Sequence, residues 1–156
     1  MDPSTVRPGR RPETERPVGV AAVRSLARVA RLLERAAGDL PLAQYRVLCA
    51  VAEGEERAAR LAERLAVGKP TVSASVDALC KRGLLRRHTV PGDQRAVRLA
   101  LTAQGDRALR DVETALAERL AAVVQHDDDP AGLLQALARL GPAIEQLHVE
   151  RAHHHG

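Results

Sequence analysis

Apolar positions recur along most of the chain at the three- and four-residue spacings of an amphipathic helix, and one segment alternates with period two instead. The alternating segment is RAVRLAL, residues 95–101, which predicts a strand. Glycine and proline mark where the helices before it begin and end. The stripes predict a first helix from Val18 to Gly38, a second from Pro41 to Gly54, a third from about Glu56 to Ala66 and a fourth from Pro70 to Gly83.

The third and fourth predicted helices are separated only by a short turn around Val67 and Gly68, which makes them a helix-turn-helix unit. On the fourth helix Val72, Val76 and Leu79 form the inward stripe. Short side chains on the opposite face would let this helix lie deep in a DNA major groove, where hydroxyls bond base edges and lysines reach phosphates. An ordinary antiparallel helix pair with a solvated face fits the same pattern. The outward residues are Lys69, Pro70, Thr71, Ser73, Ala74, Asp77 and Lys81.

A basic hairpin follows the helix-turn-helix unit: LLRRHTV predicts a strand, PGD a turn and RAVRLAL the returning strand. A hairpin in this place is a wing, and an arginine at its tip can enter the DNA minor groove, where narrow A·T tracts concentrate negative potential. The plainer interpretation is an exposed Asp93–Arg95 ion pair, which contributes about 0–1 kcal/mol. The ion pair and entry into the minor groove are compatible if the Asp93 carboxylate orients the Arg95 guanidinium. The wing residues are Arg86, Arg87 and Arg98 in the stem and Asp93, Gln94 and Arg95 at the tip.

Two long helices are predicted after the wing. Thr102 is the N-cap of the first, and Asp129 with Pro130 begins the second, which Gly141 and Pro142 should kink. Their apolar stripes have no core left to cover in so small a winged lobe, so together with the first helix they predict a dimer interface. The alternative is that they pack back on their own lobe. The candidate dimer residues are Val23, Leu26, Leu116, Leu120, Leu137, Ile144 and Leu147.

Composition favours a mainly α fold with a small β-wing, because Tyr45 is the only aromatic residue in a chain that is 45% hydrophobic. A core of Leu, Val and Ala is typical of helix packing. We therefore expect a winged helix-turn-helix lobe plus a helical dimerisation region. The predicted division is a disordered basic arm at 1–17, an N-terminal dimerisation helix at 18–39, the DNA-binding lobe at 40–102, C-terminal dimerisation helices at 103–150 and a disordered tail at 151–156.

Positive charge is concentrated in one part of the chain. There are 24 basic and 20 acidic residues in all, but residues 69–98 hold two lysines and five arginines against only Asp77 and Asp93. Such a cluster is the electrostatic footprint of a polyanion such as double-stranded DNA, because each phosphate that is neutralised releases condensed counterions. A solvated charged face with no partner is the alternative.

Other classes of function find little support in the sequence. No apolar run reaches the roughly 18 residues of a membrane span and no signal-peptide core precedes the first helix, so we expect a cytoplasmic protein with no membrane contact. None of the 6 histidines has a recognisable catalytic spacing, and Cys49 and Cys80 lack metal-site spacing, so we expect no enzyme, no cofactor and no metal. A metal sensor would rest on His126, the acids at 127–129, His148 and the terminal histidines, and helix capping explains those acids as well.

The order of these parts resembles the multiple antibiotic resistance regulator (MarR) family of winged-helix repressors. The resemblance is carried by LPLAQYRVL, by ARLAERLAVGKPTVSASVDALCKRGLL and above all by DQRAVRLALTAQG, the Asp-X-Arg wing with its Leu-Thr-X-X-Gly exit. It covers about residues 40–106 closely and the flanking helices in pattern. Many members carry a polar residue where this chain has Pro70 and an arginine where it has Ala74, so the family does not tell which bases are read.

The resemblance implies a homodimer that binds a pseudo-palindromic operator and represses transcription until a small anionic, often phenolic, effector binds between the lobe and the dimer helices. It also implies that Arg95 enters the minor groove beside Asp93 and that the helix of about 69–81 reads the major groove. The effector-binding residues are unknown from the sequence. Two alternatives stay open: a repressor that responds to oxidation of Cys80, and a winged-helix module that binds an acidic protein. A small cysteine buried in the core is the plainer interpretation of Cys80.

Overall fold

The computed structural model describes residues 18–54, 57–90 and 93–154. In these ranges the chain forms a mainly α-helical fold with one small antiparallel hairpin, as the sequence predicts. The basic arm predicted at 1–17, the turn at Pro91 and Gly92 and the last two residues of the tail lie outside the described residues. The elements are α1 (Val18–Ala36), α2 (Leu42–Ala52), α3 (Ala58–Arg64), α4 (Lys69–Lys81), β1 (Leu85–Val90), β2 (Asp93–Leu101), α5 (Ala103–Val124), α6 (Pro130–Ala138) and α7 (Leu140–His154).

One apolar core joins α2, α3, α4, the hairpin and the first half of α5. Its fully buried side chains include Leu61, Leu79 and Leu99. Burial of each leucine side chain contributes roughly 1.5–3 kcal/mol to stability. The predicted inward stripe of α4 is confirmed, since Val72 and Val76 lie in the same core as Leu79. The opposite face of α4 is therefore left to solvent.

Glycines follow α1, α2 and α4, as predicted, and all three have a positive φ. Gly38 follows α1 with a φ of 59° and Gly83 follows α4 with a φ of 70°, a conformation that glycine adopts without steric cost. The prediction that Pro41 is the first residue of α2 is wrong by one position. It is the N-cap, and its ψ of 142° lies outside the helical region. Pro70 is the second residue of α4, where the backbone N–H has no helical partner in any case.

The third helix is shorter than predicted. It spans Ala58–Arg64. Glu56, where its start was predicted, lies outside the described residues. At the other end, Ala66 takes a left-handed conformation with a φ of 51° and turns the chain. The backbone N–H of Val67 donates to the Ala62 carbonyl at 3.2 Å, which closes this turn. A left-handed alanine costs roughly 1–2 kcal/mol. The tight connection between α3 and α4 is therefore held by the packing of the two helices rather than by glycine.

The entry into α5 is fixed by Thr102 and Gly105. Thr102 is the N-cap as predicted: its Oγ1 accepts a hydrogen bond from the Gly105 N–H at 2.9 Å and donates one to the Gly83 carbonyl at 2.6 Å. Gly105 packs directly on the backbone of Leu84, since a Cβ on Gly105 would lie 1.9 Å from the Leu84 carbonyl oxygen. The Thr-X-X-Gly part of the sequence motif is thus a close contact between α5 and the α4–β1 turn, and it orients α5 against the lobe.

The C-terminal region differs from the predicted single kinked helix. Asp129 caps α6 as predicted and accepts a backbone hydrogen bond at 3.0 Å. However, α6 and α7 are separate helices with a break at Arg139, because Pro142 has no N–H to donate to the carbonyl four residues earlier and its ring crowds that carbonyl. α7 continues to His154, four residues into the segment predicted as a disordered tail, which corrects that prediction for 151–154.

The helices that carry the predicted dimer residues stand largely outside the core of the lobe. α1 packs against α5, and most of its residues are exposed. α6 and α7 contribute no residue to the shared core among those that the structure describes. In the described ranges, no helix combines the length and the apolar character needed to cross a membrane.

Candidate nucleic-acid interface

The outward face of α4 is exposed along its whole length. Its residues are small, hydroxyl-bearing or charged, and they lie opposite the buried Val72, Val76 and Leu79. A helix with such a face can approach a major groove closely because no bulky side chain separates its backbone from the base edges. All seven candidates of the sequence analysis are exposed here: Lys69, Pro70, Thr71, Ser73, Ala74, Asp77 and Lys81.

Asp77 on this face is tied to the hairpin. Arg87 Nη2 donates a hydrogen bond to Asp77 Oδ1 at 2.5 Å, and about half of each side chain is exposed. This hydrogen bond raises the pKa of Arg87. An exposed pair of this kind contributes only about 0–1 kcal/mol to stability. Its main consequence is geometric, because it joins α4 to β1 and engages the Asp77 carboxylate within the protein.

The stem arginines lie on two different faces of the hairpin. His88 is directly opposite Arg98 in the strand register, and Arg86 lies on the same face because side chains alternate along a strand. Arg87 is on the other face, where it meets Asp77. The sequence prediction placed Arg86, Arg87 and Arg98 together in the stem and did not include His88. The period-two alternation of β1 already indicates that Arg87 lies on the opposite face from Arg86 and His88. We call Arg86, His88 and Arg98 the basic strip.

The far end of the hairpin has an irregular register. Residues 94–96 of β2 lie between positions whose partners on β1 are adjacent. Extra residues of this kind bend and twist a strand, and they often aim a side chain away from the sheet. Arg95 belongs to this stretch, at the end of the hairpin predicted as the wing tip. The side chains of Asp93, Gln94 and Arg95 lie outside the described residues, so their ion pair and their orientation stay predictions.

Arg82, which the sequence reasoning did not select, joins two parts of the fold. It is the C-cap residue of α4, and its Nη1 donates to the Asp39 carbonyl oxygen at 3.0 Å and to Gln44 Oε1 at 3.1 Å. Asp39 lies in the α1–α2 connection and Gln44 in the first turn of α2. The two partners are 43 and 38 residues away in sequence, so no spacing argument reveals this contact.

Most of the candidate dimer residues are open to solvent. Leu120 and Leu137 are half-buried and line an apolar groove of about 510 Å³ between α1, α5 and the α6–α7 region. The prediction of Leu116 as a dimer residue is corrected, because Leu116 is buried within the chain. It lies two turns beyond the core residue Leu109 on the same inward face of α5. The exposed candidates are Val23, Leu26, Ile144 and Leu147, with 65%, 47%, 52% and 45% of their surface accessible.

A second, open cavity of about 630 Å³ lies between α2 and α7, and its lining includes Tyr45, Arg46 and Ile144. Burial raises the pKa of Tyr45, and the hydrogen bond with Cys49 adds to this shift. Burial also raises the pKa of the Cys49 thiol, so the thiol stays protonated near neutral pH and is a weak nucleophile. The lining also includes Glu145 and the ion pair of Arg64 with Glu53, so the cavity combines apolar walls with a neutral phenol, two guanidinium groups and two carboxylates.

The acidic run after α5 forms a turn and a helix cap. Asp127 Oδ1 accepts from the Asp129 N–H at 2.9 Å, and Asp129 Oδ1 accepts from the Gly132 N–H at 3.0 Å. These carboxylates satisfy backbone N–H groups at the start of α6. Across the part of the chain that the structure describes, no three His, Cys, Asp or Glu side chains are grouped to hold a metal ion.

The geometry defines a winged helix-turn-helix protein: an exposed recognition-type helix, a short turn before it and a basic two-stranded hairpin after it. Residues 38–96 match the model of the MarR family. This part of the chain is therefore similar to the MarR family, and the fold is that of a winged-helix protein.

Solved structures of this fold cover most of the chain. The apo form of MarR from E. coli is 22% identical over 81% of this chain and 98% of its own, with a TM-score of 0.68. The RV1404 protein of Mycobacterium tuberculosis is 23% identical over 83% of this chain and 95% of its own, with a TM-score of 0.69. CouR from Rhodococcus jostii RHA1, whose structure contains p-coumaroyl-CoA, is 20% identical over 84% of this chain and 91% of its own, with a TM-score of 0.66.

Proposed function

We propose that this chain is a homodimeric repressor that acts in the cytoplasm, binds a pseudo-palindromic operator in double-stranded DNA and is released from it by a small anionic effector. The family match and the winged helix-turn-helix fold support a DNA-binding transcriptional regulator. The observation that carries the finer proposal is the exposed face of α4, with its small side chains, beside the basic strip of the hairpin. The two surfaces offer base contacts and phosphate contacts side by side.

In this proposal each candidate residue has a distinct role at the operator. Thr71 and Ser73 contact base edges, because hydroxyls both donate and accept hydrogen bonds there. Lys69 and Lys81 at the two ends of α4 contact phosphates, as do the arginines of the basic strip. Arg95 enters the minor groove, oriented by Asp93, with Gln94 beside it. Asp77 and Arg87 hold α4 and β1 together instead of contacting bases.

Dimerisation is supported by the apolar surface outside the lobe. Exposed apolar side chains on α1 and α7 flank a groove that is itself apolar, and contiguous exposed apolar patches mark interaction sites. A second copy of the chain is the occupant that fits a two-fold operator, since half-sites about 34–36 Å apart need two lobes in fixed relation. We leave Leu116 out of the proposed interface, because it is buried within one chain.

The cavity between α2 and α7 supports the effector part of the proposal. Arg46 in its lining has no ion pair with any residue in the described ranges, so its guanidinium is available to a carboxylate or phosphate. One structural relative holds an anionic aromatic thioester, p-coumaroyl-CoA. We propose that an aromatic carboxylate or its thioester weakens operator binding. Titration of the protein–DNA complex with benzoate, p-coumarate and p-coumaroyl-CoA tests this, and Arg46→Ala should abolish any response.

Thiol oxidation is a weaker explanation of how DNA is released. The raised pKa of Cys49 leaves little thiolate to react, and Cys80 is half-buried against the core. Peroxide treatment of the DNA complex separates the two triggers. Loss of binding that Cys80→Ser prevents would favour the oxidation-responsive repressor over the effector-responsive one.

Selection of bound sequences from a pool of random duplexes tests the proposed function itself. The purified protein should enrich a two-fold symmetric motif whose half-sites lie about 10–10.5 base pairs apart or a multiple of that distance. Light scattering of the complex should give two chains per duplex. If no motif is enriched while the folded protein still binds an acidic protein, the chain is an interaction module and the repressor proposal is wrong.

A further inference from the structure

We propose that Arg82 is a positioning residue that transmits the placement of α1 to the recognition helix α4. The inference rests on the proposed function, because its effect appears in the affinity of the protein for operators with different half-site spacings. It starts from one contact: the Arg82 guanidinium, at the end of α4, binds both the connection between α1 and α2 and the first turn of α2.

The geometry of this contact is specific. Arg82 Nη1 carries two N–H groups, and it has two acceptors, the Asp39 main-chain oxygen at 3.0 Å and Gln44 Oε1 at 3.1 Å. Asp39 follows Gly38, the left-handed residue at which the chain leaves α1. A single nitrogen therefore joins the C-cap residue of α4 to the connection through which the chain leaves α1.

The apolar contacts of α4 bury its inner face but do not fix the direction of its C-terminal end, which the Arg82 nitrogen restrains. Val72, Val76 and Leu79 bury the inner face of α4, and apolar packing of this kind is non-directional. A hydrogen bond is directional, so the guanidinium fixes the helix end relative to α1. α1 lies largely outside the lobe core and carries the proposed dimer residues Val23 and Leu26. The contact therefore lies between the proposed dimer region and the reading helix.

The exposure of Arg82 separates positioning from folding. Its side chain is open to solvent, and the core of the lobe does not include it. Removing an exposed, solvent-screened hydrogen bond changes stability little. The affinity of a dimer for two half-sites is much more sensitive to the loss of this hydrogen bond. A small tilt of each α4 changes the distance between the two helices, and that distance must match about 34–36 Å.

The test compares wild type with Arg82→Ala on three operator duplexes that differ only in half-site spacing: the selected spacing, and one base pair shorter or longer. A duplex with a single half-site is the fourth ligand. Wild type should prefer the selected spacing over either neighbour by about tenfold or more. Arg82→Ala should lose about five- to tenfold in affinity for the selected operator, the lower part of the range for coupling between sites. It should bind the single half-site as wild type does, and its preference among spacings should fall below about threefold.

Three further variants serve as controls and as a second probe. Asp39→Ala retains the main-chain acceptor and should keep the wild-type spacing profile, and so should Arg110→Ala, which breaks an exposed pair with Asp106 elsewhere. Gln44→Ala removes one of the two acceptors and should give a profile between wild type and Arg82→Ala. It also serves as a second probe if Arg82→Ala does not fold.

Two results overturn the inference and leave the proposed function standing: an unchanged spacing profile in Arg82→Ala, or an equal loss of affinity on the single half-site. If wild type enriches no operator at all, the proposed function fails first, and that failure is seen before any variant is measured.

Discussion

Arg87 of strand β1 is hydrogen-bonded at 2.5 Å to Asp77 on the exposed face of α4. One residue earlier, Arg86 lies on the opposite face of the hairpin and is exposed. Two adjacent arginines of the same strand thus lie on different faces of the hairpin. Arg87 holds the hairpin against α4, and Arg86 is open to solvent.

This difference predicts unequal salt dependence for two neighbouring substitutions. Arg86→Ala should weaken DNA binding and reduce the slope of log K against log salt by about one, as loss of a phosphate contact does. Arg87→Ala should weaken binding through misplacement of the wing and leave the slope nearly unchanged, because its charge is already neutralised by Asp77. Fluorescence anisotropy at several salt concentrations measures both. Equal changes of slope in the two variants would contradict the assignment.

Gly105 should not accept a side chain. Gly105→Ala places a Cβ 1.9 Å from the Leu84 carbonyl oxygen, so the start of α5 must move, and we expect a loss of about 3 kcal/mol or more. Gly19→Ala in α1 is the matched control, since a Cβ there meets nothing within 4 Å, and it should leave stability unchanged or raise it by up to about 1 kcal/mol. Urea unfolding of both variants gives the comparison. A Gly105→Ala protein as stable as wild type would show that the contact with Leu84 is not tight.

The proposed dimer should depend on the apolar groove. Leu26→Glu puts a charge on its lining, and burial of an unpaired carboxylate opposes association. We expect light scattering to give twice the 16.8 kDa of one chain for wild type and 16.8 kDa for Leu26→Glu. Val97→Glu alters an equally open apolar residue on the hairpin and should leave the mass at the dimer value. A monomeric wild type at micromolar concentration would exclude this interface.

Cys49 should react slowly with thiol reagents. Its pKa is raised, so at pH 7.5 the thiolate fraction is lower in the folded protein than in the unfolded one, by about tenfold for each pKa unit. Alkylation by iodoacetamide in a Cys80→Ser background should therefore be much slower in buffer than in denaturant. The rate should rise as the pH is taken above 9, since deprotonation then supplies thiolate. Equal rates in buffer and denaturant would mean that burial does not protect this thiol.

The sequence predicted those elements whose signal is local. The Thr102 cap, the Asp129 cap, the glycines that follow α1 and α4 and the inward stripe of α4 are confirmed, because each depends on residue types within one or two helical turns. The predicted helix ends were wrong where the backbone conformation departs from what the residue types indicate. A left-handed alanine shortens α3, and Pro142 acts one turn before its own position to divide α6 from α7.

The candidate site shows the same division between local and distant information. Exposure of the outward face of α4 follows from helical periodicity, and it is confirmed. The partners of Arg87 and Arg82, and the burial of Leu116, depend on which elements pack together, so spacing along the chain could not give them. The roles of Asp93, Gln94 and Arg95 stay predictions, because their side chains lie outside the described residues.

The most direct test of DNA reading by this wing and helix is a salt titration of wild type and Arg95→Ala. Each is measured on the selected palindromic duplex and on a scrambled duplex of the same composition. Wild type should bind the palindrome at least about 10³-fold more tightly at physiological salt, with log K falling steeply as log salt rises. Arg95→Ala should lose affinity for the palindrome and show a shallower slope. Equal affinity of wild type for both duplexes, or an Arg95→Ala protein with unchanged affinity and slope, would contradict the account.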